Sequence, residues 1–201
     1  SFQMGAERAA ELNASGHPCY DIPMGGASVT GSVGFAHGFV EFQRQLEETG
    51  IRADYIFHAT GTGGTMAGLA AGRKLVEKIV SVTVSYKNEA YVKKVEDLAN
   101  EVLKKIDSPL RVTREDLCID TGYFAPGYEQ PNEAASEAIR LLARTEGLFV
   151  DPVYTGKALA GLIDYVRSGK VPQGSNVVFW HTGGATALFA EQEILGDLYQ
   201  M

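Results

Sequence analysis

Cysteine is nearly absent: the 201-residue chain holds two, Cys19 and Cys118. Neither sits in a CxxC pair, and their number and distance argue against a zinc site and against a disulfide scaffold. Both are expected to be plain core or near-surface thiols of a reducing compartment. Histidine is as scarce. His17, His37, His58 and His181 show no HxxxH or HExxH spacing, so no metal site is expected. No apolar run approaches the length needed to cross a membrane, and no basic n-region precedes an apolar h-region. Acid outweighs base, giving a formal charge of −7, which excludes a broad basic face for nucleic acid. A cytoplasmic protein with neither a membrane nor a nucleic acid as partner is the expectation. Repeats, low-complexity tracts and an interdomain linker are also missing.

What is present suits a globular domain. The composition is 45% hydrophobic and 21% charged, enough apolar material for a sizeable core. The length fits one large domain, or one and a half. The chain opens on Ser1 rather than Met, and a processed, truncated or partial N-terminus is expected.

Apolar periodicity and turn residues predict an alternation of strands and helices. Tyr20–Ile22 reads as a short strand. A helix spans 31–49, carried by Val33, Phe35, Val40, Phe42 and Leu46 and stopped by Gly50. Tyr55–Ala59 is a buried strand. A helix follows over 65–79, with Met66, Leu69, Leu75, Val76 and Ile79 near helical spacing. Val82, Val84 and Tyr86 alternate within an expected strand over 80–86. A Lys- and Glu-rich amphipathic helix covers 88–106, and Ser108-Pro109 breaks it. Leu117–Asp120 is extended, and 122–130 form a loop. Asn132 caps a helix that Gly147 ends near Glu146. Phe149-Val150 is short and extended, 155–168 is helical, 176–180 is a strand, and Thr182-Gly-Gly leads into a last helix. The fold class that follows is α/β: an open, twisted, mainly parallel sheet with helices on both faces.

Three segments stand out: Met24-Gly-Gly-Ala-Ser-Val29, His58-Ala-Thr-Gly-Thr-Gly-Gly-Thr65 and His181-Thr-Gly-Gly-Ala185. Each is a small polar loop after an apolar run. In open α/β sheets, ligands collect at the carboxyl ends of the strands, so the residues after Ile22, Ala59 and Trp180 are expected to face one crevice. Three such loops on one edge mark a bound anionic cofactor. A phosphate at Thr60-Gly-Thr-Gly-Gly-Thr65 would meet free helix N–H groups and Thr hydroxyls; a purely structural strand-to-helix turn is the alternative. The loop fits neither the dinucleotide fingerprint, since Met66 replaces the third glycine, nor a P-loop, since no Gly-Lys-Ser/Thr closes it. His58 and His181 are expected to be hydrogen-bonded residues near the crevice.

The combination of Gly25-Gly-Ala-Ser28, Thr60-Gly-Thr-Gly-Gly-Thr65-Met-Ala-Gly-Leu69, Phe124-Ala-Pro-Gly-Tyr128, Asp151-Pro-Val-Tyr-Thr-Gly-Lys-Ala158 and His181-Thr-Gly-Gly184 resembles the D-cysteine desulfhydrase and 1-aminocyclopropane-1-carboxylate deaminase family. These are pyridoxal-phosphate enzymes of the tryptophan-synthase-β-like fold type II. Five separated motifs agree, in the family's order, over nearly the whole chain. The resemblance implies that pyridoxal phosphate is the cofactor and that Gly61, Thr62, Gly63, Gly64 and Thr65 cradle its phosphate. It implies that Tyr128 and Tyr154 are active-site tyrosines near the substrate, and that Thr182 lies near the pyridine nitrogen. Thr155 stands where the deaminase branch carries a glutamate, which points to the desulfhydrase branch. Glu129 stands where glycine is expected. Taken alone, either tyrosine reads first as an aromatic anchor with a satisfied hydroxyl; the surrounding motifs turn the reading.

Family members hold the cofactor as a Schiff base to one lysine, and no lysine here matches it. Lys157 has no such role in the family. Lys87 follows an expected strand and could reach the crevice, but most such lysines are solvated. Residues 1–201 are therefore expected to be a portion of the large, cofactor-binding domain, lacking the lysine segment and most of the smaller domain. A companion N-terminal chain or segment would supply that lysine, and the assembled enzyme is expected to be a homodimer. The expected function is a lyase or deaminase of a small amino acid, most simply D-cysteine desulfuration to pyruvate, sulfide and ammonia. Aminocyclopropane-carboxylate deamination, cysteate sulfo-lyase activity, a non-catalytic fragment and a nucleotide-binding α/β protein stay open.

Overall fold

In a computed structural model of the chain, residues 2–73, 78–130 and 132–190 are described. Their regular elements are α1 (Phe2–Ala14), α2 (Val29–Thr49), β1 (Tyr55–Thr60), α3 (Gly64–Gly72), β2 (Lys78–Thr83), α4 (Glu89–Lys105), β3 (Cys118–Asp120), α5 (Glu133–Glu146), α6 (Thr155–Arg167), β4 (Val177–Phe179) and α7 (Ala185–Leu188). The four strands form one parallel sheet in the order β3-β2-β1-β4. From β1 the chain steps outward to β2 and β3, then returns to add β4 on the other side. The switch point therefore lies between β1 and β4, where a doubly wound sheet opens its ligand crevice.

Strand residues alternate between two packed layers. Ile56 and Ile79 face a cluster with Phe39, Leu46 and Leu69 from α2 and α3. Phe57, Val80 and Val82 face Ala158 of α6 and Val171. With helices on both faces, β1 and β2 are buried along nearly their whole length, as parallel strands are. Burying a side chain such as Phe57 contributes about 1.5–3 kcal/mol. On the α2 side the helices close tightly. A Cβ on Gly68 would lie 2.4 Å from the Ser32 carbonyl oxygen, so only glycine lets α3 approach α2 there.

Helix ends follow local chemistry. Ser28, Asn88 and Asn132 accept from Gly31 N, Tyr91 N and Ala135 N, capping α2, α4 and α5, each worth about 1 kcal/mol. Gly50 and Gly147 end α2 and α5 in the left-handed conformation.

Four expectations need correction. Tyr20–Ile22 form no strand; Asn13 instead ties the turn that follows α1, donating to Cys19 O at 2.9 Å and accepting from Cys19 N at 2.9 Å. The helix expected over 65–79 ends at Gly72, and Ile79 belongs to β2; Leu75 and Val76 lie outside the described residues. β2 stops at Thr83 and is buried on both faces instead of alternating, while Tyr86 is exposed. Phe149 and Val150 lie in a loop. Helix α1, rich in Ala, Glu and other strong helix formers, was not anticipated. Among the described residues, no helix is long and apolar enough to cross a membrane.

His58 lies on β1, fully buried, and does not line the crevice. Its Nδ1 faces Ala59 O at 2.9 Å and its Nε2 faces Ser81 Oγ at 2.7 Å. The neutral ring satisfies both, with Nδ1–H donating to the carbonyl and Nε2 accepting from the serine hydroxyl. Burial pulls its pKa down from 6.5 to about 4. The unfolded chain therefore binds the extra proton first as pH falls, and stability drops through the window from 6.5 to about 4. The full loss is about 3 kcal/mol. Chemical denaturation at pH 7 and pH 4.5 should show it, and His58→Leu should remove most of that slope; an unchanged slope contradicts this account.

Candidate active site

The three glycine loops converge on a cavity of ≈ 600 Å³ at the switch point, a size typical of small-molecule sites. Gly25, Gly61, Thr62 and Thr65 line it from one side. Thr155, Thr182, Gly183 and Gly184 line it from the other. The first two loops also touch one another, since a Cβ on Gly25 would lie 2.4 Å from Thr62 Oγ1, and the third leans on the segment before α6, since one on Gly184 would lie 2.5 Å from Asp151 Oδ1. The crevice expectation holds in outcome, although the first loop follows a coil and not a strand.

The loop after β1 is shaped from beneath. Thr60 Oγ1 and Tyr91 OH share a 2.9 Å hydrogen bond, and Val84 N donates to Thr60 O at 3.2 Å. Gly63 has φ +97°, and a Cβ there would press on Val95 Cγ2 at 2.6 Å. Gly63 is the N-cap of α3 and offers no side chain, unlike Ser28, Asn88 and Asn132. Ala67 N makes a helical bond to Gly63 O at 2.9 Å, so the amides of Gly64, Thr65 and Met66 precede it and have no partner within the helix. Gly63 and Gly64 supply backbone and do not themselves line the cavity. An uncapped helix start beside two threonines is a site for an anion of phosphate chemistry.

Asp151 orders the opposite wall. Its carboxylate, 1% exposed, accepts from Val153 N, Tyr154 N and Thr155 N at 2.9, 2.7 and 2.8 Å, and from Thr155 Oγ1 at 2.6 Å. It thereby caps α6 from outside, and Tyr154 is the N-cap residue. The Thr155 hydroxyl also accepts from Asp151 N at 2.9 Å. Sequence reasoning quoted Asp151 within a motif but gave it no role. The available signal was an acid followed by proline, just ahead of a helix start.

Tyr128 and Tyr154 both line the cavity, and their hydroxyls are hydrogen-bonded to each other. The rings meet edge to face, 5.8 Å apart at 76°. They are not buried: Tyr128 is 43% and Tyr154 38% exposed. The Tyr154 bond, then partial burial, pushes the Tyr128 phenol pKa up, so this hydroxyl keeps its proton. Tyr128 rides on the 122–130 loop, held at one end by Asn132, which donates to Tyr123 O at 3.1 Å and Ala125 O at 2.7 Å.

Among the described residues, Lys87 is the lysine that lines the cavity. Its ammonium donates to Ser85 Oγ at 3.0 Å and sits 4.7 Å from the Tyr91 ring centroid, and burial lowers its pKa. His181 is exposed, accepting from Gly183 N at Nδ1 (3.0 Å) and donating from Nε2 to Phe149 O (2.8 Å). It shapes the third loop without lining the cavity. Cys19 and Cys118 are free thiols. Among the described residues, no group of three His, Cys, Asp or Glu could hold a metal.

A family model described as pyridoxal-phosphate dependent enzyme matches residues 1–183. The chain belongs to that family, whose members depend on pyridoxal phosphate. A crystal structure of an ACC deaminase homologue is similar, with 32% identity and a TM-score of 0.81, over 94% of this chain and 57% of that one. The chain thus spans somewhat more than half of that protein's length. The likeness carries the fold type II architecture of a parallel sheet flanked by helices.

Proposed function

We propose that this chain supplies the phosphate cradle and the substrate-facing tyrosines of a pyridoxal-phosphate lyase or deaminase that acts on a small amino acid, with D-cysteine desulfuration as its reaction. One observation carries the reading: Thr65 in the uncapped first turn of α3, the tyrosine pair, and Thr155 and Thr182 with their neutral hydroxyls line one cavity. The residues fit the cofactor. Gly61, Thr62, Gly63, Gly64 and Thr65 would hold the phosphate through backbone amides and hydroxyls, and Thr182 would meet the pyridine nitrogen. Bound pyridoxal phosphate supplies an electron sink for bond breaking at the substrate α or β carbon. Tyr128, kept protonated by its neighbours, would pass its proton along the shared bond to Tyr154, whose own hydroxyl proton goes to the departing sulfide, and the proton lost from the substrate α carbon restores the pair. Thr155 lines this wall where a deaminase-type glutamate is expected. Its neutral hydroxyl, engaged with Asp151, stands in place of that glutamate, which supports the desulfhydrase branch. The similar ACC deaminase homologue favours a second reading, ring opening of aminocyclopropane carboxylate.

The lysine that anchors the cofactor belongs, in this reading, to a companion segment or chain of a homodimeric whole enzyme. Exposed Tyr20, Ile22 and Met24, leading into the first glycine loop, support an apolar partner surface there. The full-length enzyme is expected to release sulfide from D-cysteine faster than it opens aminocyclopropane carboxylate, measured side by side. The reverse order overturns the branch assignment. Borohydride reduction followed by peptide mapping should label a lysine outside residues 1–201; labelling at Lys87 refutes the companion lysine.

A further inference from the structure

Lys157 stands on the first turn of α6, three residues after Tyr154, and is 0% exposed. Moving an ammonium out of water is costly unless donors and acceptors are well matched. Its two bonds go not to carboxylates but to main-chain carbonyls, Phe124 O at 3.2 Å and Gly127 O at 2.7 Å. Asn132 takes the carbonyls of Tyr123 and Ala125. Two side chains thus fix the carbonyls of residues 123, 124, 125 and 127, and Tyr128 follows directly. The same helix turn presents Tyr154. One short rigid segment therefore sets both halves of the tyrosine pair.

We propose that Lys157 is a positioning residue: its buried ammonium clamps the 122–130 loop so that the Tyr128 hydroxyl meets that of Tyr154. The inference rests on the reading of this pair as the proton-handling groups of the site. A misplaced proton donor loses rate more than binding.

The test is Lys157→Met in the full-length holoenzyme. Cofactor affinity, followed by absorbance, should stay within about twofold, while kcat for D-cysteine falls by about tenfold or more with KM little changed. In a Tyr128→Phe background the same substitution should cost no further rate. Two readouts are independent of turnover. Amide exchange across 122–130 should accelerate, and the Tyr128 phenol should titrate closer to its ordinary value, read as tyrosinate absorbance against Tyr128→Phe. Should Lys157→Met fail to fold, Lys157→Gln, which keeps a donor but shortens its reach, gives the same readouts. Unchanged loop exchange and an unchanged Tyr128 titration overturn the proposal, as does an additive loss in the Tyr128→Phe background. If D-cysteine is not a substrate, the exchange and titration results still decide the role of Lys157, and only the functional reading falls.

Discussion

Replacing Gly63 with valine is expected to weaken pyridoxal-phosphate binding by roughly two orders of magnitude, about 3 kcal/mol. Two independent costs meet at this residue. Its φ of +97° lies in a region that a β-branched residue rarely enters, at about 1–3 kcal/mol. The new Cβ would also stand 2.6 Å from Val95 Cγ2 and 3.4 Å from Tyr91 OH. Tyr91 is bonded to Thr60 and cannot withdraw without moving the end of β1, and Val95 is 1% exposed within the core between α3 and α4, with little room to yield. The loop must shift toward the cavity, which tilts the amides of Gly64 and Thr65 away from the position proposed for the cofactor phosphate. Absorbance titration of the full-length protein with pyridoxal phosphate measures the loss. Gly16→Val is the control: its φ of +82° imposes comparable strain, yet no atom lies within 4 Å of the added Cβ. It should cost stability without touching affinity. Unchanged affinity in Gly63→Val removes the loop from the cofactor site.

Features written in short-range chemistry were legible from the residues. Asn132 caps the helix that it introduces, and Gly50 and Gly147 end theirs, because caps and left-handed turns need only a few neighbours; Ser28 and Asn88 cap α2 and α4 by the same chemistry, which the apolar spacing of those helices does not reveal. The apolar run of β1 and the glycines behind it located the crevice for the same reason. Legibility failed where tertiary context decides. Tyr20–Ile22 is apolar enough for a strand, but no described neighbour pairs with it. The apolar spacing over 65–79 continues past Gly72, and nothing local shows that Ile79 has passed from a helix to a strand. The role of Lys157 depends on bonds to Phe124 and Gly127, 33 and 30 residues back along the chain, which spacing does not reveal, whereas the Asp151 carboxylate bonds residues 153, 154 and 155 and carries a local signal. Glu129 is a middle case. The family resemblance asks for glycine there, and the residue has φ +54°, the left-handed backbone that glycine favours; the conformation is kept although the glycine is not.

Asp151→Ala is expected to destabilise the domain by about 3–5 kcal/mol. The carboxylate accepts four hydrogen bonds inside a wall where it is 1% exposed. Its removal strands three amide donors at the start of α6 and frees the Thr155 hydroxyl. Each buried unsatisfied donor costs about 1–3 kcal/mol, and water entering from the adjacent cavity offsets part of the sum. The attraction between the carboxylate and the α6 dipole is lost as well, about 0.3–1 kcal/mol. For a chain of this length the melting temperature should fall by about 6–20 °C. Asp151→Asn separates charge from shape. Its amide fits the space, but one end presents N–H groups to a pair of donors, either Val153 N and Tyr154 N or Thr155 N and its hydroxyl. An intermediate loss of about 2 kcal/mol follows. Because a Cβ on Gly184 would already collide with Asp151 Oδ1 at 2.5 Å, the Gly183–Gly184 loop leans directly on this carboxylate. Thr182 and Tyr154 should therefore lose their settings together, and cofactor affinity should fall alongside stability in both variants. Thermal denaturation and absorbance titration on the same preparations test this. An Asp151→Asn protein as stable as the parent would mean that the four bonds are dispensable and that the wall is held by packing alone.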